Sequence, residues 1–511
     1  MLHSTVPKGG GRVERLDVPV VSYNARTAAF MAGEGFALAA DGVYRDAAGR
    51  SYAAVLTGKP APGSAVKTWG CQMNEADSEA LLGQLRQMGY GVSDGDDRAD
   101  IILLNTCAVR GTAAEHALGE VGRLRRLKTE RPDVLLGVCG CLTQMPETVA
   151  YLRQHAPHVD LVFGTNNLDD LPSLLRRAYR DEAQTVDVWA QSPATVEDLP
   201  AARAAGVRAW VNVIYGCDKY CTYCIVPTTR GRERSRRPGD VVAEVRRLAA
   251  AGYREVTLLG QNVNSYGHDL GAGYDFADLL ADVAQVDGIR WIRYTTSHPR
   301  DFTPRMVEVV AAHPQICEHF HLPVQSGSDR VLRWMNRGYT RAQYLDLVHH
   351  VRRLVPGASI TTDIIVGFPR ETEDDFRATL DLVAEVGFDN AFTFQYSPRA
   401  GTPAARWEDP VPPEVKHQRL ERLNAVQYAE SRRHNEALVG TAAEVLVEGP
   451  SRKDPAVFTA RTRTNRLVLV PAVEGAGGRF GRARLTAAQT WTLHGEIEAL
   501  DEETPGAPRA G

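Results

Sequence analysis

No stretch of this sequence is apolar for the roughly 18 residues that a membrane span requires, so no membrane partner is expected. The N-terminus carries Lys8, Arg12 and Arg15 with no apolar run behind them, which does not fit a secretory signal. A cytoplasmic protein is expected. There is no surplus of one charge: 59 Lys and Arg stand against 63 Asp and Glu, a formal net charge of −4. That balance excludes a global electrostatic pull on nucleic acid, and any such affinity has to come from local patches. Internal repeats are absent. Cysteine is scarce, eight in 511 residues, too few for a disulfide framework in a chain this long and better suited to metal or redox use. The rest is ordinary for a globular protein, with 43% hydrophobic and 24% charged residues. The length suggests about three domains.

The pattern changes along the chain. Residues 1–63 form a weakly patterned extension that ends in the linker-like Lys59-Pro60-Ala61-Pro62-Gly63. Over 64–180, apolar runs at Ala65–Trp69, Ile101–Leu104 and Val134–Val138 alternate with helical stretches such as Ala80–Met88, which predicts a parallel α/β sheet. Residues 181–205 read as irregular, with Pro193 and Pro200. A second α/β series over 203–435 has candidate strands at Trp210–Tyr215, Glu255–Leu259, Trp291–Thr295, His319–Val324, Ile360–Val366 and Ala391–Tyr396. Six strands with intervening helices suit a partial (β/α)6 barrel, with chemistry at the C-terminal strand ends. From 438 to 499 short β-like runs (Ala442–Val447, Val457–Arg461, Leu467–Val470, Thr490–Leu493) predict a small β-barrel. The tail with Pro505, Gly506 and Pro508 reads as frayed.

Directly after the first strand of the second series comes Cys217-x₃-Cys221-x₂-Cys224. Thiolates are soft ligands for iron–sulfur clusters or zinc. A structural zinc site calls for four ligands, and no fourth Cys or His is nearby. Three thiolates on a [4Fe–4S] cluster leave one iron open, where an amino-carboxylate can chelate. The spacing resembles that of the radical S-adenosylmethionine (SAM) superfamily. That resemblance implies cleavage of SAM at the reduced cluster to a 5′-deoxyadenosyl radical.

Several strand ends then become candidates for a SAM pocket. They are Tyr223 within the motif, Gly260-Gln261-Asn262, Ser297-His298, Gln325, Asp363, and Gly367 with Pro369. Gly367 would permit close backbone approach to adenine. Asp363, Gln261 and Asn262 carry groups able to hydrogen-bond ribose or the amino-carboxylate. Each alone reads more readily as an ordinary loop residue, and together, after the cysteine motif, they favour the pocket.

Three further cysteines follow three successive strands of the first series, Cys71, Cys107 and Cys141, spaced by 36 and 34 residues. Ends of adjacent parallel strands lie side by side, so the thiols can converge on a second cluster. Isolated cysteines are often buried small apolar residues. Cys139, two residues before Cys141, points to the opposite side if the strand continues, and Cys317 reads as core.

The segments Gly70-Cys71-Gln72-Met73-Asn74, Asn105-Thr106-Cys107-Ala108-Val109-Arg110, Gly216 to Arg237, Gly260 to Gly267 and Arg333 to Thr340 resemble the methylthiotransferases. They are most similar to the branch acting on N6-isopentenyladenosine in tRNA. The resemblance runs from about 64 to 499 and says nothing of residues 1–63. It implies an auxiliary [4Fe–4S] cluster on Cys71, Cys107 and Cys141, a radical SAM [4Fe–4S] cluster on Cys217, Cys221 and Cys224, and a C-terminal TRAM domain. It implies methylthiolation at C2 of the adenosine just 3′ of the anticodon, with one SAM supplying the radical and another the methyl group. The anticodon stem-loop is the expected RNA partner, a flavodoxin or ferredoxin the expected electron donor, and a monomer the expected state. The sulfur source is not legible. The alternatives are the same chemistry on threonylcarbamoyladenosine or a ribosomal-protein aspartate, or a non-catalytic iron–sulfur RNA-binding protein.

Five arginines, Arg230, Arg232, Arg234, Arg236 and Arg237, lie within eight residues after the motif. A charge run is commonly a solvated face, and here its position also suits phosphate contact. Basic residues from Arg452 to Arg484, with Phe458, Phe480 and Trp491, are expected to serve either RNA binding or the core of the terminal barrel.

Overall fold

The computed structural model describes residues 62–502 apart from 110, 181–182, 193–198, 204–205 and 272, together with six short strands before residue 62. Most of the Lys59–Gly63 segment, Pro193 and the tail from 503 lie outside the described residues. The chain divides into two compact units, Met1–Ala204 with Thr228–Gly231, and Ala205–Pro227 with Arg232–Gly511.

Ahead of the first α/β sheet, Thr5–Lys8 pairs with Arg12–Arg15, and Val20–Tyr23, Ser51–Leu56, Val43–Arg45 and Ala37–Leu38 form a four-stranded sheet in that order. The sequence showed no alternation there strong enough to predict it.

The first unit is built on six parallel strands. These are β1 (Gly63–Thr68), β2 (Gly91–Val92), β3 (Ala99–Thr106), β4 (Leu135–Gly140), β5 (Leu161–Phe163) and β6 (Thr185–Asp187). They are ordered β6-β5-β4-β3-β1-β2 across the sheet. Helices α1 (Gln72–Gln87), α2 (Gly111–Glu130), α3 (Pro146–His155) and α4 (Leu171–Ala178) connect them. Strands covered on both faces are apolar on both. Ile101, Leu103, Leu135 and Phe163 pack with Leu81 and Leu85 of α1 and Leu171, Leu174 and Leu175 of α4. Ile102, Leu104, Leu136 and Val138 pack with Val121 and Leu124 of α2 and Leu152 of α3. Strands β5 and β6 escape the sequence pattern because each has only three residues; the second falls in the stretch that reads as irregular.

In the second unit, strands β7 (Arg208–Asn212), β10 (Glu255–Leu259) and β11 (Trp291–Thr295) form one parallel sheet. Strands β12 (His319–His321), β13 (Ser359–Val366) and β14 (Asn390–Gln395) form another. A parallel bridge between Ile292 and Ile316 links the two. Between β7 and β10 a short hairpin, β8 (Ile214–Tyr215) with β9 (Arg234–Ser235), brackets the cysteine motif. Helices α5 (Pro238–Ala250), α6 (Phe276–Ala284), α7 (Pro304–Ala312), α8 (Asp329–Trp334), α9 (Arg341–Leu354), α10 (Glu373–Val386) and α11 (Pro413–Glu436) complete the partial (β/α)6 barrel. One continuous apolar core, from Val211 and Val241 to Phe388 and Leu423, fills the space between strands and helices.

Five strands close the C-terminal barrel: β15 (Ala442–Pro450), β16 (Val457–Thr462), β17 (Leu467–Pro471), β18 (Phe480–Ala488) and β19 (Thr492–Leu500), in the order β15-β16-β17-β19-β18. Closure removes the exposed edges that short strands otherwise present. Trp291 anchors this barrel to the larger one. It is fully buried among Val207, Cys317, Leu446 and Phe480, and its ring meets Phe480 edge-on at 4.9 Å. Arg293 adds hydrogen bonds to the backbone oxygens of Thr462 and Arg463, both 2.8 Å, and an ion pair with Glu255 at 3.2 Å. Among the described residues, no helix is long and apolar enough to cross a membrane.

Removing an indole from so closed a site leaves a cavity, and Trp291→Ala is expected to cost about 3–5 kcal/mol. The urea midpoint of the full chain checks this.

Candidate active site

Each unit carries one cysteine triad, and the local backbone explains how each forms. In the first unit the ends of β1, β3 and β4 are in register, Thr68 beside Asn105 and Asn105 beside Cys139. Cys71, Cys107 and Cys141 each follow these positions by two or three residues. Cys71 caps the start of α1, where its carbonyl receives the N–H groups of Asn74 and Glu75. The Cys141 N–H donates to the Thr106 oxygen at 2.8 Å. Gly140 makes that turn possible: its φ is +98°, and a Cβ there would meet Thr106 backbone atoms at 2.5–2.6 Å. Asn105 ties the strand ends to α1, donating to the Asn74 oxygen at 2.8 Å and the Ser78 hydroxyl at 2.9 Å.

Cys107 and Cys141 are buried and Cys71 half-buried. Burial pushes the Cys141 thiol up to about 12; Arg230 opposes the shift, while Cys107 and Cys71 are close enough to add to it. Cys139 points the other way, into the apolar cluster with Leu81, Leu85 and Leu135. Among the described residues no three His, Cys, Asp or Glu side chains lie close enough to hold a single metal ion. Three thiolates are a soft donor set, which suits an iron–sulfur cluster or zinc.

In the second unit, Cys217, Cys221 and Cys224 lie in the loop that leaves β8. Gly216, at φ +74°, turns the chain out of the strand. The loop is fixed at several points. The Gly216 N–H donates to Gln261 Oε1 at 2.9 Å, the Thr222 hydroxyl to the Trp334 oxygen at 2.7 Å, and Asn336 Nδ2 to the Tyr220 oxygen at 3.1 Å. Burial pushes the Cys224 thiol up to about 12 and raises that of Cys217 as well. Arg337, which the sequence reading missed, is buried and donates from Nη1 to the Cys221 sulfur and the Tyr223 hydroxyl, both at 3.4 Å. His298 Nε2 lies 3.9 Å from the same sulfur.

The SAM-pocket candidates divide. Ser297 Oγ and Gln325 Oε1 are buried with no hydrogen-bond partner, as is Thr296 Oγ1, which the sequence reading did not single out. Buried orphan polar atoms at strand ends fit a polar ligand. Asp363 is half-buried beside His321 Nε2 at 3.4 Å. Tyr223 packs edge-on against Phe368, and Pro369 is buried. Other candidates are already occupied by the protein. Gln261 accepts from the cysteine loop, Asn262 bonds Asp301 at 2.7 Å and the His298 N–H at 3.1 Å, and the His298 ring accepts from the Arg300 N–H at 3.2 Å. Gly260 lies under Ile214, whose methyl a Cβ would meet at 2.4 Å. Gly367 has φ +68° and faces the stem of Lys416, 2.4 Å from where its Cβ would be. These glycines are required by protein packing.

The arginine run also needs correction. Arg230 is buried, paired with Asp77 at 2.6 Å, and Arg236 is buried, paired with Glu244 at 2.7 Å. Neither side chain is presented to solvent. Arg232 is exposed and paired with Asp218 at 2.7 Å, and Arg237 is exposed 3.9 Å from Asp240. Arg234 is half-buried on β9. In the C-terminal barrel Phe480 is core, Phe458 packs against the core, and Trp491 is exposed against Tyr428.

The turn after β13 depends on a buried ion pair. Glu371 Oε2 accepts from the Gly367 N–H at 2.7 Å and from Arg419 Nη1 at 2.8 Å. Burial pushes the Glu371 carboxyl up to about 7, against the Gly367 N–H and Arg419. Breaking a buried pair can cost 3–5 kcal/mol when a charge is stranded. A carboxyl that already protonates near neutrality escapes that state, so Arg419→Met should cost only about 1–3 kcal/mol, the range for unpaired polar groups. A pKa raised on folding gives stability at low pH that is lost as pH rises. In the variant the pKa moves higher still, so its deficit in urea midpoint should be smallest near pH 5 and grow toward pH 8.

Three family models match: the Radical SAM superfamily over residues 211–383, the Uncharacterized protein family UPF0004 over 64–164, and the TRAM domain over 436–497. The tRNA-2-methylthio-N(6)-dimethylallyladenosine synthase of Moorella thermoacetica is 52% identical over 430 residues, covering 84% of this chain and 97% of the relative. The protein of the same name from Symbiobacterium thermophilum is 52% identical over 449 residues, covering 86% and 96%. Among solved structures, the radical S-adenosylmethionine methyltransferase TsrM from Kitasatospora setae aligns with a TM-score of 0.49 and 15% identity, over 68% of this chain and 74% of that one. With identity at this level along nearly the whole length of the relatives, the chain belongs to the tRNA-2-methylthio-N(6)-dimethylallyladenosine synthase family.

Proposed function

We propose that this protein methylthiolates C2 of N6-dimethylallyladenosine just 3′ of the anticodon in tRNA. The observation that carries the reading is the pair of cysteine triads, one at the ends of three parallel strands and one in the loop that leaves β8, in a chain about half identical to synthases of that name. Cys217, Cys221 and Cys224 would hold a [4Fe–4S] cluster and SAM, and Cys71, Cys107 and Cys141 a second [4Fe–4S] cluster. When bound, these groups supply a carbon radical able to remove an unactivated hydrogen, together with the sulfur and methyl that replace it.

The chain's own residues do the positioning. Gln261 fixes the backbone where the cysteine loop begins, Thr222 and Asn336 fix its far side, and Arg337 sets a cation against Cys221. Ser297, Gln325 and Thr296 present buried polar atoms without protein partners, suited to the amino-carboxylate or ribose of SAM. Cys107, Cys141 and Cys221 are buried and Cys71, Cys217 and Cys224 half-buried, which limits the access of water to a radical formed there. A single-stranded anticodon loop makes unstacking of the target base cheap, and the TRAM barrel is the nucleic-acid module. A flavodoxin or ferredoxin is the proposed electron donor.

The test is anaerobic. Protein reconstituted with iron and sulfide, given dithionite, SAM and dimethylallylated anticodon stem-loop RNA, should yield the 2-methylthio nucleoside by mass spectrometry. Alanine at Cys217, Cys221 or Cys224 should abolish 5′-deoxyadenosine formation. Alanine at Cys71, Cys107 or Cys141 should spare it and stop sulfur insertion, whereas Cys139→Ala should retain both. Formation of 5′-deoxyadenosine without modified RNA would move the substrate to threonylcarbamoyladenosine or a protein aspartate. Neither product from protein with intact clusters would sink the radical reading.

A further inference from the structure

Arg230 follows Cys224 by six residues in sequence, yet its segment, Thr228–Gly231, belongs to the first compact unit. Its side chain is 4% exposed. Nε donates to the Cys141 sulfur at 3.1 Å. Nη2 pairs with Asp77 Oδ2 at 2.6 Å and reaches Asn74 Oδ1 at 3.5 Å. Asn74 Oδ1 is also 3.5 Å from the Cys71 sulfur. One guanidinium therefore touches one thiol of the triad and shares an amide with a second.

A buried arginine is costly unless its charge is matched. Asp77, itself 3% exposed, matches it. The pair is held against the thiols by α1, which carries both Asn74 and Asp77. The other triad has a counterpart, since Arg337 is buried and its Nη1 lies 3.4 Å from Cys221. Charged donors on the sulfurs of a cluster, and the net charge around it, set its potential.

We propose that Arg230, balanced by Asp77, is a positioning residue for the auxiliary cluster: it holds the Cys141 sulfur and stabilises the reduced form by its charge. This rests on the assignment of Cys71, Cys107 and Cys141 as ligands. Reduction adds negative charge beside a fixed cation, so the cation raises the potential and the carboxylate offsets part of that effect. The two side chains act with opposite sign, which a purely structural pair would not do.

The experiment uses the full chain carrying Cys217→Ala, Cys221→Ala and Cys224→Ala, so that a single cluster remains. Iron content and the midpoint potential, from a redox titration read by electron paramagnetic resonance, are compared in that background with Arg230→Gln, Arg230→Lys and Asp77→Asn added. The expected result is a lower potential in Arg230→Gln, a higher one in Asp77→Asn, and a potential near the parent in Arg230→Lys. If Arg230→Gln loses its iron, Arg230→Lys decides: full iron at the parent potential supports the role, and loss of iron there overturns it. Unchanged potentials with full iron in Arg230→Gln and Asp77→Asn also overturn it. A background chain that binds no cluster at all would instead bring down the ligand assignment beneath it.

Discussion

In a parallel sheet, neighbouring strands in register end side by side, and the first cysteine triad exists because β1, β3 and β4 obey this rule. Thr68, Asn105 and Cys139 form one row across the sheet. A step of two or three residues beyond that row brings each chain to a cysteine. A slip of one residue in any strand would turn its cysteine away, because side chains alternate between faces. The apolar packing on both faces opposes such a slip. Ile101 and Leu103 are committed to one face and Ile102 and Leu104 to the other, so a register error would bury nothing correctly. Asn105 finishes the work at the sheet edge by locking the strand ends to α1 with side-chain hydrogen bonds.

The same row explains why two cysteines two residues apart have different surroundings. Cys139 is still in β4 and packs among leucines. Cys141 is past Gly140, whose positive φ breaks the alternation and turns the chain toward the other thiols. No other residue type fits at Gly140 without displacing the Thr106 backbone. The turn is thus a sequence requirement that travels with the ligand.

The parts of the site that repeat a spacing were legible before the structure: the Cys217 motif, the cysteines at three strand ends, and the alternating strands around them. What was not legible depends on partners remote in sequence. Arg230, Arg232, Arg234, Arg236 and Arg237 look alike as a charge run, yet Arg230 and Arg236 point inward because Asp77 and Glu244 await them. Asp77 is 153 residues earlier in the chain, and no local pattern announces the pairing. Gln261 and Asn262 look like ligand donors because they end a strand beside the cysteine motif, but the cysteine loop and Asp301 already use them. Strands β5 and β6 were missed because three residues show no period.

The C-terminal barrel shows how the same reasoning narrows the RNA surface. The overall charge is slightly negative, so attraction to phosphate depends on cations whose charge is not cancelled locally. Arg463 is held by Glu318 at 2.6 Å and Arg461 by Glu448 at 2.7 Å, and Arg466 pairs with Asp389. The Arg463 and Arg466 pairs tie the barrel to the larger one rather than facing solvent. Arg482 and Arg484 differ, since both are exposed on β18, where they pair with Glu498 at 3.4 and 2.5 Å. Arg452 and Lys453 are exposed between β15 and β16. Trp491, 49% exposed between β18 and β19, adds an aromatic face suited to stacking. The barrel thus uses some of its arginines to fasten itself and leaves others at the surface, and the carboxylate opposite each one decides which.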